Sequence, residues 1–304
     1  MHYRALGRSG IKVSEISMGC NRLGQAGTPD QEWVDLVRRA VELGVNLFDT
    51  AESYGWGRSE EILGQALVGR GDIHIASKVS RSRETGEKSF TQGLVIASAE
   101  GSLRRLKRDC LDVLQLHSPS MSNLQHDDWL EGMRKLQEQG KIRWVGVSIN
   151  DVESGRWLIE NGMADVLQVD YSMLEPGVGR EVFPLAERHG VGILVRMPMA
   201  RGILTGKFTP GQEVGPEHRA SLNRERVPEQ VRQAEAFRPL AEGKEITLGQ
   251  FALRYAITPT GVSAAIPGAR TLEQLEQNVA ASNGFGLSAA ELAAAETIQR
   301  QLGL

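Results

Sequence analysis

The chain has 304 residues, a formal net charge of −3 and a pI near 6.1, which leaves no basic field for nucleic acid or an acidic membrane surface. Its length fits one large α/β domain with a full core. Two cysteines, Cys20 and Cys110, make no disulfide framework, no stretch approaches the roughly 20 apolar residues of a membrane span, and the first residues lack an apolar signal core, so a soluble cytoplasmic protein is expected.

In chain order, residues 3–6, the turn Gly7-Arg8-Ser9-Gly10 and residues 11–13 read as a short β-hairpin. Ile16-Ser17-Met18-Gly19 is a first buried strand. Pro29-Asp30 opens a helix whose apolar face is Trp33, Leu36, Val37, Ala40 and Val41, and Gly44 ends it. A second strand, residues 45–49, stops at Asp49. The polar, glycine-rich loop that follows carries Tyr54, and a helix over 59–67 opens with Ser59, Glu60 and Glu61. The third strand, 72–78, ends in Lys78, and after a helix over 91–106 the fourth, 112–117, ends in His117.

The alternation continues with a helix over 127–139, a strand over 142–148, and a helix from the Asp151 cap to residue 160. A strand over 166–169, a helix over 179–189 and a strand over 192–196 follow. Between 201 and 226 the pattern lapses into Gly, Pro and charge, a loop long enough to be a lid or ligand clamp. Helices over 229–241 and 247–256, a strand over 262–266, a helix over 271–281 and a tail helix over 288–301 complete the chain. Eight short strands, each followed by a helix, predict a (β/α)8 TIM barrel in one domain over residues 1–304, with an N-terminal β-hairpin and a C-terminal tail helix.

Parallel strands put Asp49, Tyr54, Lys78 and His117 on one rim, the end of such a barrel where chemistry is done. Taken singly, each has a bland reading: a solvated lysine, a satisfied loop histidine, a surface tyrosine. Together they suit proton transfer from a phenol. Free tyrosine has a pKa of about 10, and a neighbouring ammonium is expected to lower it. A carboxylate beside the lysine holds it charged, and a histidine hydrogen-bonds a substrate oxygen. Such a tyrosine protonates a carbonyl oxygen while hydride arrives at carbon, and the hydride has to come from a cofactor.

The chain resembles the aldo-keto reductases, of the bacterial, short-loop branch. The resemblance rests on Asn46-Leu47-Phe48-Asp49-Thr50-Ala51-Glu52-Ser53-Tyr54-Gly55, on Leu111-Asp112-Val113-Leu114-Gln115-Leu116-His117-Ser118-Pro119 and on Gly140-Lys141-Ile142-Arg143-Trp144-Val145-Gly146-Val147-Ser148. Pro198-Met199-Ala200-Arg201-Gly202-Ile203-Leu204-Thr205-Gly206-Lys207 and the run from Ile266-Pro267-Gly268-Ala269-Arg270-Thr271 to Asn278 complete it. It implies a catalytic tetrad of Asp49, Tyr54, Lys78 and His117, and NADP(H) bound without a Rossmann domain; no Gly-x-Gly-x-x-Gly joins a strand to a helix near the start. It also implies that Gly19 and Cys20 flank the cofactor, that Ser148 and Gln168 hold the nicotinamide carboxamide, and that Arg196, Met197, Pro198, Met199, Arg201, Gly202 and Lys207 wrap it. Gly268, Arg270, Gln274, Gln277 and Asn278 then face the adenosine end. No metal is expected.

Three departures stand out. Ile149 separates Ser148 from Asn150, where the family has Asn directly after the serine. Gly268 and Gln274 replace the cations that often frame the 2′-phosphate, leaving Arg270. Arg196 stands where an aromatic ring usually stacks on the nicotinamide, either stacking in its place or turning to a phosphate, a substrate carboxylate or a nearby acid such as Glu175.

The favoured function is NADPH-dependent reduction of an aldehyde or ketone. A cofactor-bound sensor with slow turnover and a Schiff-base lyase using Lys78 are the competing readings. Asn21, Arg22, Leu23, Trp56, His117 and the loop Ser120-Met121-Ser122-Asn123 are the candidate substrate-pocket residues. Trp56 equally suits plain packing at the barrel mouth, and Arg22 a solvated surface charge. A small-molecule carbonyl is the one partner implied, and no motif sets the oligomeric state.

Overall fold

The computed structural model describes residues 1–80, 86, 88–211 and 225–304. Strands β1 (Tyr3–Ala5) and β2 (Lys12–Ser14) pair antiparallel, with Arg4 opposite Val13. Eight parallel strands follow in consecutive order: β3 (Met18–Gly19), β4 (Leu47–Asp49), β5 (His74–Val79), β6 (Leu111–His117), β7 (Ile142–Ile149), β8 (Val166–Asp170), β9 (Gly192–Arg196) and β10 (Val262–Ala265). Bridges from Ile16 to Ala265 and from Gly19 to Gly268 close β10 onto β3, with the Gly19 amide donating to the Pro267 carbonyl at 3.0 Å. The expected barrel is present. Its strands are covered on both faces, which is why they read as near-continuous apolar runs.

Period-two alternation builds the interior in layers. Leu47, Ala76, Val113, Val166, Leu194 and Ala264 form the lower layer, packed on Leu6, Ile11 and Val13 of the hairpin. The hairpin therefore plugs the N-terminal end. Gly7 at its tip has φ +53, and an added Cβ there would lie 2.3 Å from the Gly192 amide nitrogen, so only glycine fits. Two residues further along the same strands stand Asp49, Lys78, Gln115, Gln168 and Arg196. The sequence that makes the bottom of the barrel apolar thus makes its top polar.

The helices are α1 (Asp30–Glu42), α2 (Arg58–Ala66), α3 (Gln92–Leu106), α4 (Met121–His126), α5 (Trp129–Glu138), α6 (Val152–Glu160), α7 (Gly177–His189), α8 (Val227–Glu235), α9 (Arg238–Glu242), α10 (Leu248–Ile257), α11 (Leu272–Val279) and α12 (Ala289–Leu302). Two depart from expectation. Residues 120–123 are not a loop: Ser120 and Asn123 make a reciprocal capping box that starts α4. The single helix expected over 229–241 is split into α8 and α9, because Pro239, in the first turn of α9, has no amide to continue α8. The tail helix α12 is tied down by Gln299, fully buried, whose Nε2 donates to the Met173 carbonyl at 2.8 Å and the Tyr255 hydroxyl at 3.0 Å. Of the long loop, the structure shows a 3₁₀ turn at Ala200–Thr205, while 212–224, where most of the expected lid falls, lie outside the described residues. Among the described residues no helix is long and apolar enough to cross a membrane, and no group of side chains is arranged to hold a metal.

Candidate active site

Asp49, the last residue of β4, is buried at the top of the barrel. Its Oδ2 accepts from Lys78 Nζ at 2.6 Å, and its Oδ1 accepts from Gln115 Nε2 at 3.1 Å and Gln168 Nε2 at 2.7 Å. Lys78 Nζ, itself 1% exposed, also donates to the Thr50 carbonyl at 2.8 Å and the Tyr54 hydroxyl at 3.3 Å. Every proton of the ammonium therefore has an acceptor, the condition under which a buried lysine stays charged. The Tyr54 and His117 rings meet edge to face with centroids 5.7 Å apart, and Ser53 Oγ lies 3.3 Å from His117 Nδ1.

Tyr54 is held by its own loop. The Thr50 amide continues the pairing of β4 with β5 by donating to the Ala76 carbonyl at 2.8 Å. Glu52, buried, accepts from the Ser80 amide at 2.9 Å and from Ser98 Oγ at 3.2 Å, which fastens the loop to the strand end carrying Lys78. Gly55 (φ +58) and Trp56 (φ +53) then turn the chain into α2. Trp56 is 56% exposed and does not line the cleft.

The electrostatics correct one expectation. Burial raises the Tyr54 phenol above its ordinary value; Lys78 pulls it down and Asp49 adds to the rise, and the net direction is upward. A nearby lysine alone predicts the opposite sign. The shift favours the protonated phenol. Lys78 moves upward too: burial works against its charge, but Asp49 and Tyr54 together outweigh it. Burial, then Asp49, pushes the Cys20 thiol well above its ordinary value.

Tyr54 opens onto a cleft of about 510 Å³ that runs from Asp49 and His117 to α10 and α11. Gly19, Cys20, Gln168, Arg196, Met197, Pro198, Met199, Arg201, Gly202, Lys207, Gly268, Arg270, Gln274, Gln277 and Asn278 all line it, as do Asn21 and Arg22. Ser148 is not in the lining; it stands in register with His117 and Gln168, which are, and its Oγ is buried with no hydrogen-bond partner among the described residues. Gln168 spends its amide donor on Asp49, a role the motif does not reveal. Arg22 donates to Gln25 at 3.2 Å, and burial and then the Arg270 charge lower its basicity. The 120–123 segment does not line the cleft, and the Asn123 side chain is committed to capping.

Arg196 is anchored. Its NH1 pairs with Asp170 Oδ2 at 3.4 Å, and its NH2 donates to the Ile149 carbonyl at 3.3 Å and Asn150 Oδ1 at 3.0 Å. The neighbouring carboxylate is Asp170; Glu175 pairs with Arg201 at 3.6 Å. Burial raises Asp170 despite the two guanidiniums. The chain beside it is strained: Met197 (φ +56), Ala200 (φ +46) and Arg201 (φ +57) are left-handed, at roughly 1–2 kcal/mol per non-glycine residue.

Sequence reasoning overlooked Gln115, Asp170, and Thr247 with Gln250, whose capping box opens α10 onto the cleft. Each carried a signal. Gln115 precedes His117 by two, Asp170 follows Gln168 by two, and Thr-x-x-Gln is a helix-start pattern. The N-termini of α10 and α11 both face this end, with Thr271 Oγ1 capping α11, so unpaired amides and the positive ends of two helix dipoles converge there.

Comparison with known proteins places this geometry. Residues 15–300 match the profile described as the Aldo/keto reductase family. A probable voltage-gated potassium channel subunit beta of Arabidopsis thaliana is 31% identical over 304 residues, covering 92% of this chain and 91% of that one. The NADH-specific methylglyoxal reductase of Escherichia coli (strain K12) is 27% identical, covering 91% and 92%. Among solved structures, aldo-keto reductase AKR11C1 from Bacillus halodurans (holo form) superposes with a TM-score of 0.84 at 29% identity, covering 98% of this chain and 96% of that one. With its barrel closed, its polar layer at the strand ends and its profile matched almost end to end, the chain belongs to the aldo/keto reductase family.

Proposed function

We propose that this protein is an NADPH-dependent reductase of aldehydes or ketones, with Tyr54 as general acid. The observation that carries the reading is a half-buried phenol 3.3 Å from an ammonium that is itself locked on Asp49 at 2.6 Å, at the head of a long cleft.

The residues present fit a nicotinamide dinucleotide. The buried Ser148 hydroxyl has no partner among the described residues, as expected of a group that meets a ligand amide. At the other end, Arg270 makes no ion pair among the described residues, and two helix N-termini present amides to an anion. Ser148 and Gln168 would hold the nicotinamide, with Arg196 in the wall beside it; the segment from Met197 to Lys207 would hold the pyrophosphate; Arg270, with Arg22 beside it, would take the adenosine 2′-phosphate. When bound, the cofactor supplies hydride to the substrate carbon.

The chain's own groups do the rest. Tyr54 donates its proton to the carbonyl oxygen as negative charge develops there, and its raised value keeps that proton in place through the neutral range. Lys78 then stabilises the phenolate left behind, and Asp49 fixes Lys78 at the required angle. His117, edge-on to Tyr54, is placed to hydrogen-bond the same oxygen. The Schiff-base reading fits less well, since Lys78 is held as an ammonium on three acceptors and is no free amine. The two free cysteines suit a reducing compartment, taken as the cytoplasm. A panel of aldehydes and ketones followed by NADPH absorbance tests the reading. Turnover of at least one carbonyl is expected, whereas tight cofactor binding with negligible turnover across the panel would point to a sensor instead.

A further inference from the structure

The strained segment between Arg196 and Arg201 has an anchor that the reaction itself does not require. Arg196 ends β9 and stands in register with Asp170 at the end of β8. Five residues on, Arg201 returns to the same place: its NH2 meets Asp170 Oδ2 at 3.2 Å, the oxygen that Arg196 NH1 meets at 3.4 Å. Between the two arginines, Met197 and Ala200 are left-handed, and Arg201 is so as well. Short-range turns run inside the segment, Ala200 amide to Met197 carbonyl at 2.8 Å and Gly202 amide to Met199 carbonyl at 2.9 Å, and the Arg196 carbonyl accepts from the Tyr171 amide at 3.3 Å. Turns of this kind close the local ring but do not orient it on the barrel.

We propose that Asp170 is a positioning residue: one carboxylate pins both ends of the strained 196–201 segment and so pre-shapes the wall of the cleft that receives the cofactor's pyrophosphate. The inference rests on the reading of this cleft as a nicotinamide site. Two further observations favour it. Asp170 Oδ1 is buried with no hydrogen-bond partner among the described residues, so the carboxylate is a poor device for fold stability alone. Asp170 also lies two residues beyond Gln168 on the same face of β8: Gln168 lines the cleft, and Asp170 stands behind its wall in a smaller pocket that shares Arg196 and Arg201 with it. Strained backbone persists where its surroundings over-determine it, and a pre-formed wall spares the ordering cost of binding.

The test uses the full-length protein and NADPH as the probe. Equilibrium titration and amide hydrogen exchange are compared for wild type, Asp170→Asn, the Arg196→Met/Arg201→Met double variant, and the triple variant. In Asp170→Asn we expect the NADPH dissociation constant to rise roughly tenfold. Exchange over 197–204 should accelerate without cofactor while the barrel strands keep their protection. Adding Asp170→Asn to the double arginine variant should change the dissociation constant less than about twofold, because its two partners are already gone. Three results would overturn the inference: unchanged affinity and exchange in Asp170→Asn, acceleration spread through the whole barrel, or an equal effect in the background lacking both arginines. If wild type itself binds neither NADPH nor NADH, the reading of the cleft has failed, and the inference goes with it.

Discussion

The two ends of this barrel are made from the same strands and follow opposite rules. At the N-terminal end, Leu47, Ala76, Val113, Val166, Leu194 and Ala264 close on a hairpin plug of Leu6, Ile11 and Val13. Two residues later the same strands present Asp49, Lys78, Gln115, Gln168 and Arg196, and the chain leaving them is left-handed at Trp56, Ser118, Met197, Ala200 and Arg201. One end gains stability from apolar burial. The other gives some of it up to hold buried charge and strained backbone in place. Function and stability are thereby separable along one barrel axis, and substitutions at the two ends should read out differently.

The largest expected effect is at the top. Lys78→Met leaves Asp49 buried without its cation and Tyr54 without its neighbour, so turnover should fall by several orders of magnitude and stability by about 3–5 kcal/mol. Chemical denaturation beside steady-state rates measures both, and a rate loss under tenfold would remove Lys78 from the proton-transfer unit. At the bottom, Leu6→Ala should cost about 3 kcal/mol and leave kcat and KM near wild type. A marked loss of kcat in the folded variant would show that the two ends are coupled.

Glu15 is the exception at the hairpin end, a fully buried carboxylate that pH reads out. It directly follows β2 and accepts from the Gly284 and Asn283 amides at 2.8 and 2.9 Å, from Ser282 Oγ and from Arg4. Burial alone would raise its carboxyl, but these bonds and the Arg4 charge bring it below its ordinary value. A lowered folded value means that its stabilisation is complete above the unfolded pKa of about 4.3 and is lost as pH falls through the folded one. Glu15→Gln should therefore cost about 2 kcal/mol near neutrality, with the gap to wild type closing only below about pH 4. Urea midpoints across that range test it; a gap independent of pH would assign the loss to packing. The smallest effect is expected at the cofactor's far end. Arg270→Ala should raise KM for NADPH roughly tenfold and change that for NADH little, while equal losses would make Arg270 structural.

Much of the site was legible because strand ends are legible. An apolar run that stops at Asp49, Lys78 or His117 gives both the topology and the rim, and the motifs from Asn46 to Asn278 supplied the family. What escaped depends on distances that pattern does not carry. The lysine beside Tyr54 predicts a lowered phenol, but desolvation of the hydroxyl, with Asp49, turns the direction upward. Arg196 was noticed as an oddity, yet its partner Asp170 comes from a different strand, and only register brings the two together. The capping boxes at Ser120 and Thr247 follow helix-start patterns, but which end of the barrel a capped helix faces is set by tertiary packing that the pattern does not carry.

The central claim is that Tyr54 supplies the proton and that its neighbours serve that one act. Tyr54→Phe keeps the ring and its contact with His117 and removes only the hydroxyl. Single-turnover reduction of a carbonyl by the preformed NADPH complex, with cofactor affinity titrated in parallel, isolates that loss. The account predicts an NADPH dissociation constant near wild type and a reduction rate lower by roughly a thousandfold or more, since the acid acts only in the transition state. A Tyr54→Phe variant that binds NADPH normally and keeps about a tenth of the wild-type rate would contradict it.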